Sequence, residues 1–482
     1  MIILDNDSTT PLYIQIYEQI KEKIASGEIL EGDKLTSTRR LSSELNISRN
    51  TVENAYMQLS SEGYVSSKVG SGFVVENLDN SIISKLKRED ITVAKNIMLD
   101  VNYSFNNNNS YNCDDGYNYK YNFEYGKLSA QDFPLRIWKR ISNKCLSAIS
   151  AEDMVSYSSS KGELDLQIEI MNHLRKSRGV SCNYKQIIIS SGMEYCLSLL
   201  CQLIRDDFHN IALEDPGYIG AKDIFINNGY NVIPISLEED GINLDELENS
   251  SAKIVYVTPS HQFPTGTVIP IAKRLKLIDW AIRNNGVIIE DDYDSELRYN
   301  SKPIPSIQSI DSKGVVVYVG TFSKAFSPSM RLNYMVLPET WLEKYHKRFK
   351  MYQVSVPLIQ QKIIQQFMHL GHFDRHLRKI NLINKKKHDI LVHAIQEFMG
   401  DNVIIHGRNA GLHILLEFNN GLTEKELILR AKNHRVKVYP VSMFWMREDN
   451  YPNNMVLLGF GGMPECDIVQ GIKVLKEAWL MS

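Results

Sequence analysis

From about residue 121 onward, short apolar runs alternate with amphipathic stretches. KQIIISSG, NIALEDPG, NVIPIS, AKIVYVTPS, GVIIEDDYD and GVVVYVGTFSK are rich in Val and Ile, and polar or Gly-containing turns end them. Between several of them, MEYCLSLLCQLIRD and IAKRLKLIDWAIRNN place apolar residues at helical spacing. Apolar strands alternating with helices predict a mainly parallel α/β sheet buried on both faces. Such sheets hold ligands at the carboxyl ends of their strands. No internal repeat is visible.

The first 78 residues follow a different pattern. After Pro11, Ile16, Ile20 and Ile24 recur at four-residue spacing and predict a helix from about Ile14 to Ser26. Leu41 and Leu45 suit a second helix and Ile47 a turn. Ser48 suits the N-cap of a third helix carrying Val52, Tyr56 and Leu59. Gly63-Tyr64-Val65 and Gly70-Ser71-Gly72-Phe73-Val74 predict a two-stranded wing. This is the outline of a winged helix-turn-helix.

Charge sharpens that picture locally. The chain of 482 residues carries a net charge of only −3, so any pull on nucleic acid must come from a patch. Over residues 34–52, Lys34, Arg39, Arg40 and Arg49 face only Glu44, a balance of +3. Ser37, Ser48, Asn50 and Thr51 add short polar groups suited to phosphates or base edges, and Gly70 and Gly72 mark the wing.

Residues 79–120 break both patterns. Positions 101–122 contain eight Asn and five Tyr and little aliphatic surface, which predicts a linker. The expected domains are therefore 1–78, a linker over 79–120, and 121–482, divided into a large part of about 150–345 and a small part of about 346–482. The six cysteines show no paired or zinc-like spacing and predict free thiols in a reducing cytoplasm, with no metal site. The acidic start lacks a signal-peptide pattern, and no apolar run reaches the length of a membrane span.

Four loops after predicted strands carry candidate chemistry. Ser191-Gly192-Met193-Glu194 opens a helix and can bring backbone N–H groups to a phosphate. Tyr218, after Glu214-Asp215-Pro216-Gly217, can lie over a flat ring. Glu290-Asp291-Asp292-Tyr293-Asp294 offers carboxylates for Mg²⁺, or one Asp for the ring nitrogen of pyridoxal phosphate (PLP), or merely solvated acids at a strand end. Thr321-Phe322-Ser323-Lys324 places an amine among small hydroxyls, and Arg331 follows as a planar donor for phosphate.

Each loop is weak alone; their order is specific. GEILEGDKLTSTRRLSSELNISRNTVENAYMQLSSEGYVSSKVGSGFVV closely resembles the GntR-type winged helix, with Thr36 and Ser42 where the family usually has Pro and Ala. Arg39 and Arg49 match its DNA-contacting arginines. YSSSKGELDLQIEIMNHLRKSRGV, EDPGY, TPSHQFPTG, IIEDDYDSE, GTFSKAFSPSMRL and GHFDRHLRKI resemble fold-type I PLP enzymes of aspartate aminotransferase type, and specifically the MocR branch of the GntR regulators. The resemblance implies PLP as cofactor, with Lys324 as the lysine of the internal aldimine and Asp291 on the pyridine nitrogen. Tyr293 then lies near the 3-hydroxyl and Tyr218 is stacked on the ring. Gly192, Met193, Thr321, Ser323 and Arg331 form the phosphate cup. Ser260, His261 and Gln262 lie beside the ring. It also implies a cytoplasmic homodimer on double-stranded operator DNA, responding to PLP, an amine or an amino acid.

Two readings compete: a PLP-dependent regulator, and a working aminotransferase with a vestigial DNA module. GABA-responsive members place an arginine two residues after the stacking tyrosine; Tyr218-Ile219-Gly220 has none, nor does Leu457–Met463. Arg435 or Arg447 remain as substitutes for a substrate-carboxylate clamp. Arg331-Leu332-Asn333-Tyr334 resembles the R-x-S-Y form of PdxR-like members, which control vitamin B6 synthesis. The leading expectation is a regulator whose DNA binding PLP itself modulates; sensing of an amine such as GABA, and residual transamination, are the alternatives.

Overall fold

The computed structural model describes residues 2–5, 8, 10–61, 64–68, 72–76, 117–299, 305–408, 410–447 and 451–480. They fall into two units, Met1–Tyr111 and Asn112–Ser482. Gly70, Ser71 and most of the expected linker lie outside the described residues.

In the first unit, the opening helix spans Leu12–Ser26. It begins a little before the expected Ile14, directly after Pro11, and ends where Gly27 takes a left-handed φ of 79°. Ile16, Ile20 and Ile24 are buried against Val52, Tyr56 and Leu59 of the helix Arg49–Ser61. Between them lies the short helix Thr38–Glu44, whose N-terminus is capped by Ser37 Oγ accepting from Arg40 N at 3.3 Å. Strands β1 (Val65–Lys68) and β2 (Gly72–Val75) pair antiparallel, Val65 opposite Val75, and add both valines to the same core.

The second unit contains β3 (Tyr121–Asn122), β4 (Ile187–Ser190), β5 (Asn210–Asp215), β6 (Asn231–Glu238), β7 (Gly241–Ile242), β8 (Ile254–Val257), β9 (Val287–Asp292), β10 (Val316–Thr321) and β11 (Asn333–Val336). Beyond these come β12 (Val403–His406), β13 (His413–Phe418), β14 (Val436–Lys437), β15 (Tyr439–Pro440) and β16 (Met455–Gly459). The main sheet has eight strands in the order β4-β11-β10-β9-β8-β5-β6-β7. β10, β9, β8, β5 and β6 run parallel, whereas β11 is antiparallel to both β10 and β4. Every residue of β4, β8, β9, β10 and β11 is buried. Alternation explains this: Ile187 and Ile189 join Leu166 and Ile170 on one face, and Ile188 joins Leu197 and Leu200 on the other.

A second sheet, β12-β13-β16-β15, packs on the helices His372–Met399 and Glu465–Leu480 around Phe418, Leu427, Val456 and Trp479. The expected boundary near 346 cuts into the first core, because Tyr345 and Phe349 still pack beneath the main sheet. Residues just before the expected linker end at 120 bond the second unit. Lys120 N donates to Arg435 O at 2.8 Å, and Arg435 Nε donates to Asn118 O at 3.0 Å. The tyrosines of this stretch supply what aliphatic residues do not: Lys432 Nζ lies 5.2 Å from the Tyr117 ring centroid.

Candidate functional site

The carboxyl ends of β5, β8, β9 and β10 converge on one side of the main sheet. The helix Gly192–Ile204, which follows β4, and the start of β11 complete the ring. Together they enclose a cavity of about 200 Å³ lined by Tyr125, Met193, Glu194, Tyr218, Thr258, Phe263, Asp291, Tyr293, Thr321, Ser323, Lys324, Pro328, Arg331 and Asn333. Four separate loops of the sequence thus reach one space.

Lys324 borders this cavity, and protein closes around its amine elsewhere. Burial pushes its pKa down to about 8, against the opposing pull of Asp294 and Asp291. At neutral pH roughly a tenth of such amines are neutral, against well under a hundredth for an ordinary lysine.

β9 sorts the carboxylates by alternation. Asp291 lines the cavity. Its Oδ2 accepts the Tyr256 hydroxyl, and its Oδ1 has no hydrogen-bond partner among the described residues. Burial raises its pKa to about 7, although Tyr256 works in the other direction. Asp292 points to the opposite face, where Arg178 Nε donates to its Oδ2 at 2.6 Å. Burial opposes ionisation there, but Arg178 and Tyr318 outweigh it and hold Asp292 below the usual carboxylate range. Glu290 shares that face and accepts the backbone N–H groups of Ile307 and Gln308 at 2.8 and 2.9 Å. No group of three or more His, Cys, Asp or Glu among the described residues is arranged to hold a metal.

Arg331 stands at the mouth in a left-handed conformation (φ 49°) and pairs with Glu194. Gly192 beside it has a left-handed φ of 82°, which L side chains rarely adopt, and leaves room for Arg331 Nη2, which would lie 2.2 Å from a Cβ there. Met193 lines the cavity next to it. Ser323 N donates to Thr321 Oγ1 at 3.0 Å, and Thr321 Oγ1 donates to Asn333 Oδ1 at 3.2 Å. The Asn333 amide nitrogen has no hydrogen-bond partner among the described residues.

The loop after β8 is arranged differently from expectation. Ser260, His261 and Gln262 do not line the cavity; Thr258 and Phe263 do. Ser260 accepts from Arg178, and Gln262 Nε2 donates to Pro216 O at 2.8 Å. His261 stands behind Tyr293, with Nδ1 2.8 Å from Asp294 Oδ2 and 3.0 Å from the Tyr293 hydroxyl. The family resemblance implied a place beside the ring for these three residues; each is bonded instead to buried backbone or side-chain partners.

Tyr125, Tyr256, Phe263, Glu194 and Asn333 complete the cavity or its support without having been singled out as site residues. Tyr125 belongs to a stretch with no motif, and Tyr256 sits inside a run that looks like plain core. Neither proposed carboxylate clamp reaches the site. Arg435 bonds Asn118, while Arg447 pairs with Glu246 and donates to Ser236 Oγ at 2.9 Å. Arg331 is the sole arginine among the described residues lining the cavity.

On the first unit, Lys34, Ser37, Arg39, Arg40, Ser48, Arg49, Asn50 and Gly72 are exposed, and Thr51 is half-buried. Arg40 and Arg49 each pair with a glutamate four residues on, Glu44 and Glu53, at 2.8 Å. Ser48 Oγ accepts from Thr51 N at 3.1 Å, so Ser37 and Ser48 both serve as caps.

Comparison with known proteins matches residues 12–75 to the gntR family of bacterial regulatory proteins and residues 124–449 to aminotransferase class I and II. The chain is 37% identical to the uncharacterized HTH-type transcriptional regulator YdeL of Bacillus subtilis over 97% of both chains. It is 28% identical to the probable rhizopine catabolism regulatory protein MocR of Rhizobium meliloti, covering 100% of this chain and 96% of that one. With the pyridoxine biosynthesis regulator PdxR of Corynebacterium glutamicum it shares 27% over 96% and 95%. Among solved structures, a multiple substrate aminotransferase from Thermococcus profundus aligns with a TM-score of 0.66 and 25% identity, covering 74% of this chain and 90% of that one. The chain therefore belongs to the MocR-type GntR regulators, which join a GntR helix-turn-helix to an aminotransferase-like domain of fold type I.

Proposed function

We propose that this transcription regulator binds PLP in the cavity around Lys324 and that PLP itself is the signal that changes its hold on DNA. The residues fit the group. Asp291 Oδ1 is a buried acceptor with no donor among the described residues, as a protonated ring nitrogen would require. Lys324 supplies an amine already depressed toward neutrality. Tyr218 offers a ring face, while Arg331, Thr321, Ser323 and the N-terminus of the helix Gly192–Ile204 are donors for a phosphate. When bound, PLP supplies an aldehyde and an electron-poor ring.

The observation that carries the reading is the arginine count on the cavity wall. Arg331 serves a phosphate, and among the described residues no second arginine lines the cavity to take a substrate carboxylate. A site able to hold the cofactor but lacking that clamp suits PLP sensing, and the likeness to the pyridoxine biosynthesis regulator PdxR favours control of vitamin B6 synthesis. Lys324, Asp291 and Tyr293 then act in capture rather than in turnover, and the protein works as a homodimer on two half-sites.

The test is a DNA-binding titration on the protein's own upstream region with PLP, GABA and other amines. PLP alone is expected to shift the affinity, and Lys324→Ala to abolish both that shift and the visible absorbance of the bound cofactor. A response to GABA but not to PLP, or transamination at ordinary enzymatic rates, overturns the reading.

A further inference from the structure

The aminotransferase-like unit has a strongly basic face that the PLP site does not use. The helix Leu135–Ala148 carries Arg136, Lys139, Arg140 and Lys144, all exposed, and no carboxylate. Positions 136, 140 and 144 fall on one side of it. On the helix His372–Met399, residues 375–387 carry six Lys or Arg and again no carboxylate; Arg375, Arg378 and Lys379 are exposed. Arg136, Arg140, Arg375 and Lys379 wall a groove of about 640 Å³ floored by Phe133 and Phe367, with Asp132 as its one carboxylate.

Lys386 pairs with Glu465 at 2.7 Å and the buried Lys387 donates to Gly461 O at 2.7 Å, but the cations nearer the groove are not neutralised in this way. Among the described residues none of Arg136, Lys139, Arg140, Arg378 and Lys379 has a carboxylate at ion-pair distance. Arg375 is held in place by donating to Leu370 O at 2.7 Å and Gly371 O at 3.0 Å. The shared field reaches His372, which burial and then Arg375 and Arg140 hold below its ordinary pKa. On a chain with net charge −3 this is a local positive patch, and such a patch draws polyanions to one face of the protein.

We propose that this face is a second DNA contact, made to the phosphate backbone by the aminotransferase-like unit. The inference rests on the reading of the chain as a DNA-binding regulator. A small phosphate ligand would engage only the groove; Lys139, Lys144 and Arg378 continue the charge along stretches of helix about 20 Å long, the scale of a run of backbone phosphates. Contacts of this kind carry no sequence information and add affinity that salt removes.

The experiment compares the full-length PLP-loaded protein with its Arg136→Gln/Arg140→Gln/Lys379→Gln variant. Affinity for a long duplex from its own upstream region is measured between 50 and 200 mM salt. Three lost phosphate contacts flatten the log–log salt slope by about 2.7, so the affinity lost across that range shrinks by about 40-fold. Unchanged PLP absorbance shows that the variant is folded. Equal slopes for the two proteins overturn the proposal. So does a parent protein that binds no DNA, or a variant that keeps the slope but changes its oligomeric state, which assigns the face to a second copy of this chain. Loss of the PLP response with the slope difference intact would sink the effector reading and leave this one standing.

Discussion

Lys324 Nζ lies 4.1 Å from the centroid of the Tyr125 ring, directly over its face. The ring's negative face stabilises the ammonium, while burial of the same group disfavours it. The lysine is thus poised between the two forms by an aromatic residue that belongs to no recognisable motif.

Replacing Tyr125 with Leu removes the ring and keeps an apolar wall. A cation–π contact of about 1 kcal/mol corresponds to roughly 0.7 pKa units, so the Lys324 pKa is expected to fall by about that much. The pH dependence of PLP capture, followed by absorbance, should move to lower pH. A shift upward would mean that the ring does not stabilise the ammonium.

Asp291→Asn leaves the shape of the cavity and removes the charge facing the ring nitrogen. Hydrogen bonds to charged groups contribute about 1.5–3 kcal/mol, so PLP affinity should drop by roughly 10- to 100-fold. Spectrophotometric titration of apoprotein with PLP measures it; unchanged affinity would remove Asp291 from the site.

Arg178→Met tests the other side of β9. Breaking a buried pair by removing one partner costs about 3–5 kcal/mol, because Asp292 stays behind as an uncompensated charge. The pH dependence has a definite sign. Asp292 has a lowered pKa in the fold, so its contribution is present above the ordinary value of 3.8 and is lost as pH falls below it. The parent should therefore lose its advantage over the variant in acid, as read from urea midpoints.

His173 works in the opposite direction. Burial disfavours its charge, but Asp374 and Glu296, 3.8 and 3.9 Å away, raise its pKa to about 9. Its stabilisation is fully present below pH 6.5 and disappears as pH rises through about 9. Lys324, with a lowered pKa, contributes the reverse slope between about 8 and 10.5. His173→Gln should flatten the decline of unfolding midpoint between pH 6.5 and 8, where Lys324 is silent. An unaltered profile would mean that the two carboxylates do not hold the imidazolium.

The parts of the molecule legible in the sequence are those where local rules and tertiary demands coincide. Ile16, Ile20 and Ile24 announce a buried helical stripe, and the Val/Ile runs announce strands covered on both faces. The strand-end loops announce where a ligand would go. What stayed hidden depends on long-range partners. Whether His261 faces the cavity or stands behind Tyr293 is decided by Asp294. Whether Arg447 clamps a substrate or braces β6 is decided by Glu246, about two hundred positions away. Asn118 and Lys120 look like spacer until Arg435 arrives to bond them.

The two aspartates of β9 also set a limit on how this protein can change. One faces the cavity and its immediate neighbour anchors Arg178, so the ligand site and the scaffold are written on consecutive letters of one strand. A one-residue slip of β9 flips both residues, taking Asp291 off the cavity face and Asp292 away from the guanidinium. Drift in this strand is thus vetoed twice over. New ligand specificity has to arise in the surrounding loops, at positions such as Phe263, where a side chain reaches the cavity without carrying the sheet.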